Sequence, residues 1–343
     1  MRGGSRPATF PGGDGRRLCR VEPAEDFAVR AEAYRRELRV HCYRLTGSFD
    51  EAEDLVQETL LHAWRSRDQF EGEAGLRAWL YKIATNTCID FLRRLERRPR
   101  AYAPVPGMDH GNGPAPDFLE WLQPFPDTLL APGRPDEETV ARETIELVFL
   151  TAIQHLTPQQ RAVFVFRDVL GWSAADTAAA MDMSVEAVNS ALQRAKPSLR
   201  RHLPVDRSQW RTEGPTPEER KVLDAYFAAS QSADHGAIAD LLTSDVVLTM
   251  PPNPFWFTSR DAMMTFVRQS LDPASPAYFG EWKHLPTMAN RMPAVAAYVR
   301  RPGTTIFRAQ SIDVLRVRDG KIAEITTFEP HLLVAFGLPL VIR

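Results

Sequence analysis

The chain has 343 residues, more than one hydrophobic core usually organises, so two or three domains are expected. With 44% hydrophobic and 25% charged residues it is neither fibrous nor wholly disordered, and no apolar run approaches the roughly 18 residues of a membrane-span signal. The net charge of -2 is an average over strongly basic and strongly acidic stretches.

Residues 1–25 contain PGG and GGDG without periodicity and are expected to form a disordered tail. Because the start, Met1 to Arg20, has no apolar core of the kind a secretory signal needs, a cytoplasmic protein is expected. The three cysteines, Cys19, Cys42 and Cys88, lie far apart without a CxxC spacing, which points to idle thiols and to neither a disulfide framework nor a metal site.

From Phe27 to Leu95 the pattern is helical. Ser48 followed by Glu51 is a capping box, and Ala52, Leu55, Val56, Leu60 and Ala63 behind it recur on one face. The next helix is predicted over 76–95, with Leu76, Leu80, Ile83, Ala84, Thr87 and Phe91 inward, while Lys82, Asn86, Arg93 and Arg97 form a stripe away from them. Arg77, Arg94, Arg98 and Arg100 add to a basic surface there. Residues 101–139 invert the charge with Asp109, Asp117, Glu120, Asp127, Asp136, Glu137 and Glu138 among prolines and glycines, the pattern of an acidic linker. Within it Trp121, Leu122, Pro124 and Phe125 are too apolar for a plain spacer and are expected to dock on a neighbour.

Helical periodicity resumes over 140–204. In SAADTAAAMDMSVEAVNSALQRA, Ser173 to Ala195, two helices flank a three-residue turn, the spacing of a helix-turn-helix. Ala178 allows close crossing, Ser184 can cap the second helix, and Val188, Leu192 and Leu199 face inward; Asn189, Gln193, Lys196 and Arg200 share the outer stripe, where amides and cations suit base edges and phosphates. Asp182 stands in the turn position that favours glycine, and Pro197 is expected to end or kink the second helix. The prolines at 204, 215 and 217 mark a second linker over 205–217. Beyond it Val222, Tyr226, Phe227, Ile238, Leu241 and Leu242 run across two helices. Strands are predicted over 245–250, 295–300, 306–317 and 322–328, with Asp319-Gly320 as a hairpin turn, so the third domain is α+β.

RLTGSFDEAEDLVQETLLHAWR and LRAWLYKIATNTCIDFLRR, followed by LTPQQRAVFVFRDVLGWSAADTAAAMDMSVEAVNSALQRA, resemble a sigma-70-family RNA polymerase sigma factor of the extracytoplasmic-function type. DAYFAASQSADHGAIADLLTSDVVLTMPP, SIDVLRVRDGKIAEITTF and HLLVAFGLP resemble the cone-shaped SnoaL-like fold. The resemblance implies two all-α domains, residues 26–100 for binding core polymerase and melting the minus-10 element and 140–204 for reading the minus-35 element, followed by an α+β regulatory domain over 218–343. Implied partners are core RNA polymerase, through its beta-prime clamp and beta flap, and promoter DNA; no cofactor, metal, membrane, dedicated anti-sigma protein or catalysis is expected.

By the same resemblance DLVQE, Asp54 to Glu58, is the polymerase-clamp motif, and Asp54, Gln57, Glu58 and Leu61 are assigned to polymerase. The loop at residues 68–75 is the pocket for a flipped base, on which Phe70 could stack; Trp79, Lys82, Asn86, Arg93 and Arg97 face the minus-10 strand, Trp79 being equally suited to the core. Glu186, Asn189, Ser190, Gln193, Arg194, Lys196 and Arg200 face the minus-35 element. The acidic linker threads the polymerase in this family, and its WLQPFP resembles a motif of sigma factors with a fused C-terminal domain. Tyr226, Met250, Trp256, Trp282, Asp313 and His331 are candidates for a ligand pocket in the cone. The alternative reading is a helix-turn-helix regulator fused to a ligand-binding or enzymatic SnoaL-like domain.

Overall fold

The computed structural model describes residues 24–70, 75–96, 121–130, 145–203 and 216–343. The expected N-terminal tail up to 23, Arg97, residues 71–74 of the candidate base pocket, most of the acidic linker and residues 204–215 of the second linker lie outside them.

The first helical body consists of α1 (Ala24–Glu32), α2 (Arg35–Thr46), α3 (Phe49–Arg65) and α4 (Leu76–Glu96). Ser48 caps α3 by accepting from the Glu51 N–H, as its spacing predicts. Gly47 ends α2 at φ 74°, a left-handed cap in which a Cβ would press on Gln154 of the second body at 3.3 Å. Leu38, Leu45, Val56, Leu80 and Ala84 form the centre of the body. His41 is buried there, its Nε2 2.8 Å from the Thr85 hydroxyl, and burial pulls its pKa down to about 3, so it is neutral at physiological pH.

The second body holds α5 (Leu147–Gln154), α6 (Pro158–Phe164) running into a π turn at Val165–Val169, α7 (Ala174–Met181) and α8 (Val185–His202). Ser173 and Ser184 cap α7 and α8, and Asp182 takes the left-handed turn conformation at φ 49°. Of the end or kink expected at Pro197, the end of α8 is not met: the helix continues to His202, with Pro197 on its exposed side. Leu199, two residues further, is buried in the core, and that packing offsets the hydrogen bond a proline removes.

The two helical bodies share one core. The buried guanidinium of Arg161 donates to the carbonyls of Ile153 (3.1 Å), Gln154 (2.9 Å) and Leu156 (3.1 Å) in its own body, and to the Leu45 carbonyl across the boundary. These carbonyls meet the need for partners of a cation taken out of water.

The third domain begins with α9 (Pro217–Gln231). Pro217, read from the sequence as a break, occupies the first turn, where its missing N–H costs nothing, and Thr216 and Glu219 close a capping box around it. Then come α10 (His235–Leu241), β1 (Leu242–Met250), β2 (Asn253–Phe257), α11 (Arg260–Leu271), β3 (Glu281–Ala289), β4 (Met292–Arg300), β5 (Phe307–Arg318), β6 (Lys321–Phe328) and the short β7 (Val341–Ile342). Strand order is β2-β1-β6-β5-β4-β3, with β1 parallel to β6 and β7 on the start of β5. Asp319 (φ 52°) and Gly320 (φ 72°) both turn left-handed between β5 and β6, the conformation a tight hairpin needs. Strand β4 is buried along nearly all its length because both faces are covered: Val295 joins the core inside the cone, while Met292, Ala294, Ala296 and Tyr298 join the core of the helical bodies. The fold is therefore two all-α bodies followed by an α+β cone.

Candidate functional site

On α3 the apolar face is spent on the core, which leaves Asp54 and Gln57 exposed, Glu58 half-buried and Leu61 47% exposed along the opposite side. A large aliphatic group left in water beside carboxylates is a surface suited to another protein. Asn86 and Arg93 are exposed on α4 and border a shallow depression shared with Glu58 and His62 of α3 and Asp90. Trp79, by contrast, is half-buried: its ring lies 5.3 Å from Phe70 and 6.1 Å from Phe27, so Phe70 and Trp79 pack mainly on each other. Lys82 reaches Asp182 in the helix-turn-helix turn at 2.7 Å, an ion pair between the two helical bodies.

Along α8, Glu186, Asn189, Ser190, Gln193, Arg194, Lys196 and Arg200 are all exposed. Val188, Ala191, Ala195 and Leu199 are buried opposite them, so the α8 helix offers one continuous polar stripe. Lys196 is 3.2 Å from Asp168.

The apolar linker segment lies where three parts of the chain meet. Leu122, Pro124 and Phe125 are buried and Trp121 is half-buried. The Phe125 ring packs 4.8 Å from Tyr43 of α2 and 5.5 Å from Phe49 of α3. Gln123, which the sequence reading passed over, makes the polar half of this contact. Its side-chain oxygen accepts from the Ser48 hydroxyl (2.8 Å) and the Asp50 N–H (2.9 Å), its amide donates to Asp50 Oδ2 (2.9 Å), and its backbone N–H donates to the Gly47 carbonyl (2.9 Å). One polar residue among apolar neighbours gave no signal, because it is the free N-terminus of α3 that creates the demand for its oxygen.

From the other side comes the tip of the β3–β4 hairpin. Asn290, fully buried at φ 56°, accepts from the Phe125 N–H (2.8 Å) and donates to the Tyr43 hydroxyl (2.8 Å) and the Ile145 carbonyl (2.6 Å). The Tyr43 hydroxyl in turn donates to the Gln123 carbonyl at 2.7 Å. The Arg291 N–H donates to Asp127 at 2.8 Å, and Pro126 bridges to Ala289. His331, expected in the cone's pocket, lies outside it: its Nε2 is 3.2 Å from Asp50 on α3.

The cone encloses a cavity of about 470 Å3. Tyr226, Met250, Trp282 and Asp313 line it. Trp256 does not: Leu248 and Met250 of β1 face the cavity, and Trp256 pairs with Thr249 between them, on the other side of the pleat. His284, not foreseen, lines it two residues after Trp282 on the same face of β3, the rings stacked at 6.0 Å. Burial raises the Asp313 carboxyl to about 6, although Thr327 and Ser311 bond to it, and lowers His284 to about 4. Burial and the nearby Asp313 also push the Tyr226 hydroxyl up. Among the described residues no His, Cys, Asp and Glu group has the arrangement of a metal site.

Residues 31–98 match sigma-70 region 2, residues 146–199 match sigma-70 region 4, and residues 223–325 match a SnoaL-like domain. The chain is 38% identical over 329 residues to the ECF RNA polymerase sigma factor SigG of Mycobacterium tuberculosis, covering 93% of this chain and 86% of that one. It is 27% identical over 299 residues to SigJ of the same species, covering 85% and 88%. The crystal structure of SigJ superposes with a TM-score of 0.58 at 22% identity over 91% of this chain and 99% of that one, which shows a common fold.

Proposed function

The chain belongs to the ECF RNA polymerase sigma factors, proteins of transcription initiation, and on that premise we propose that it is a cytoplasmic promoter-specificity subunit whose C-terminal domain governs its access to polymerase and DNA. Asp54, Gln57, Glu58 and Leu61 meet core polymerase; Asn86, Lys82, Arg93 and Arg97 hold the melted minus-10 strand; and the outer stripe of α8 reads the minus-35 element in the major groove. The C-terminal domain acts by binding and has no catalytic part in initiation.

One observation carries the regulatory reading. A single side chain of the third domain, Asn290, is bonded at once to the first helical body, the linker and the start of the second body. The arrangement it holds has α4 against the helix-turn-helix, with Lys82 on Asp182. Promoter elements centred about 25 base pairs apart are separated by about 85 Å of duplex at 3.4 Å per pair, which two bodies sharing one core do not span. Polymerase and promoter therefore select an open form, and the clasp sets how rare that form is.

The experiment is in-vitro transcription with bacterial core polymerase over a promoter library, comparing the full chain with a chain ending at Pro215. Specific initiation by either form supports the promoter-specificity role, and a large difference between them supports regulation by the third domain. If the full chain binds duplex DNA specifically without polymerase and neither form initiates, the polymerase-facing roles fall. Equal activity of the two forms removes the regulatory role.

A further inference from the structure

The cavity of the third domain has an electrostatic character that its fold does not require. Its walls include the aromatic rings of Phe255, Phe266, Phe279 and Trp282. Two carboxylates line it, Asp313 and Glu329, and among the described residues neither lysine nor arginine does. His284, the remaining titratable nitrogen base, is uncharged at neutral pH because burial lowers its pKa to about 4. Asp313 Oδ1 has no hydrogen-bond partner, nor do His284 Nδ1 and Trp282 Nε1, although each is buried. An acceptor left unsatisfied in such a place costs about 1–3 kcal/mol, a debt that a bound donor cancels.

Anions are disfavoured by the Asp313 carboxylate, while that of Glu329 lies 3.6 Å from His331 Nδ1. Neutral apolar molecules fill the space but leave Asp313 Oδ1 without a partner. Aromatic faces attract a cation through their quadrupoles, and a buried carboxylate attracts it by charge, so both features select the same kind of molecule. We propose that this cavity is a receptor site for an apolar organic cation, a protonated amine on an aromatic or alicyclic body, with its ammonium group at Asp313 and its body between the aromatic walls. The volume of about 470 Å3 lies within the range of small-molecule sites.

The site is continuous with the contact to the first helical body. Phe328, Glu329 and Pro330 line the cavity, and the next residue, His331, meets Asp50 on α3, whose carboxylate also accepts from Gln123 of the linker. An occupant that moves this segment reaches the clasp within one residue. This deepens the regulatory reading above by naming the chemistry of its signal, yet binding is measured without polymerase, so each can fail separately.

The test uses three probes of nearly equal shape against the full chain: 2-naphthylmethylamine, 2-naphthalenemethanol and 2-naphthoate, each followed by calorimetry and by thermal melting at pH 7.5. The amine is expected to bind at least tenfold tighter than the alcohol and to raise the melting temperature, with no binding of the carboxylate. Asp313→Asn should remove the preference for the amine while the alcohol still binds, which also shows that the variant is folded. Val267→Phe, placed on α11 at the cavity wall, should remove binding of amine and alcohol alike. The proposal is overturned if the alcohol or the carboxylate binds as tightly as the amine, if Asp313→Asn keeps the preference, or if none of the three probes binds.

Discussion

Asn290→Ala is the sharpest probe of how the three parts are held together. The substitution removes the acceptor of the Phe125 N–H and the donor to the Ile145 carbonyl, both at buried positions, and the bond to the Tyr43 hydroxyl. Leaving the first two groups without partners costs about 1–3 kcal/mol each. Alanine at φ 56° adds about 1 kcal/mol, because only glycine, asparagine and aspartate visit that region readily. Together these give about 3–7 kcal/mol, and they fall on the junction, since the cores within the helical bodies and inside the cone lose no atom. At about 1.4 kcal/mol per factor of ten, opening of the junction becomes about 100- to 100,000-fold more frequent. Native-state hydrogen exchange reads this as faster exchange of amides in 121–130 and 289–292, with amides of α10 and α11 unchanged. Asn290→Gly, which keeps the backbone conformation, should open less often than Asn290→Ala by about fivefold, the part due to strain. Transcription by the full chain should shift toward that of the chain ending at Pro215. If exchange in 121–130 stays at the wild-type rate, or if α10 and α11 loosen equally, Asn290 is not a clasp and the argument fails.

Other outcomes follow from the same geometry. Asn86→Ala and Gln193→Ala should each lower promoter-specific initiation by about five- to 150-fold, the equivalent of about 1–3 kcal/mol per base contact, as read on promoters mutated at the minus-10 and minus-35 elements respectively; unchanged preference at the matching element removes the assigned contact. Asp54→Arg should weaken the affinity for core polymerase, measured by fluorescence anisotropy, while the promoter sequences that are read stay the same; an altered sequence preference with intact affinity contradicts the assignment. The carboxyl of Asp313 sits at about 6 in the folded chain against 3.8 as a free group, so the folded form holds more protons between these values, and this group's contribution to stability declines as pH rises from about 4 to 6. Asp313→Asn lacks that decline: its melting temperature relative to the wild type should climb over that window by the equivalent of at most about 3 kcal/mol, and a flat difference would show that Asp313 is not perturbed.

Local rules made much of this chain readable from its residues. Ser48 and Ser184 announce helix starts because a hydroxyl at that position satisfies an N–H three residues on, whatever the surroundings. Asp319-Gly320 announces its hairpin for a similarly local reason. Strand β3 was not legible: Lys283, His284 and Pro286 interrupt its alternation, and Pro286 is tolerated only because β3 is an edge strand, which strand order alone reveals. His284 was lost from the candidate pocket for that reason. The opposite error placed Trp256 and His331 in the cavity, since residue type suggests a pocket while the side of a pleat or the exit from a strand decides it.

The outer stripe of α8 and the acidic face of α3 are set by spacing on a single helix, so the sequence by itself determined which side chains share each surface. The sequence also marked 121–126 as too apolar for solvent, through the number of its large side chains. It did not determine what covers them. That partner is a hairpin tip about 165 residues further along, held by the backbone conformation of Asn290 and by the amide of Gln123 against the end of α3. Such contacts join groups far apart in the chain whose hydrogen-bonding needs arise only once each part has folded, so only the tertiary structure decided them.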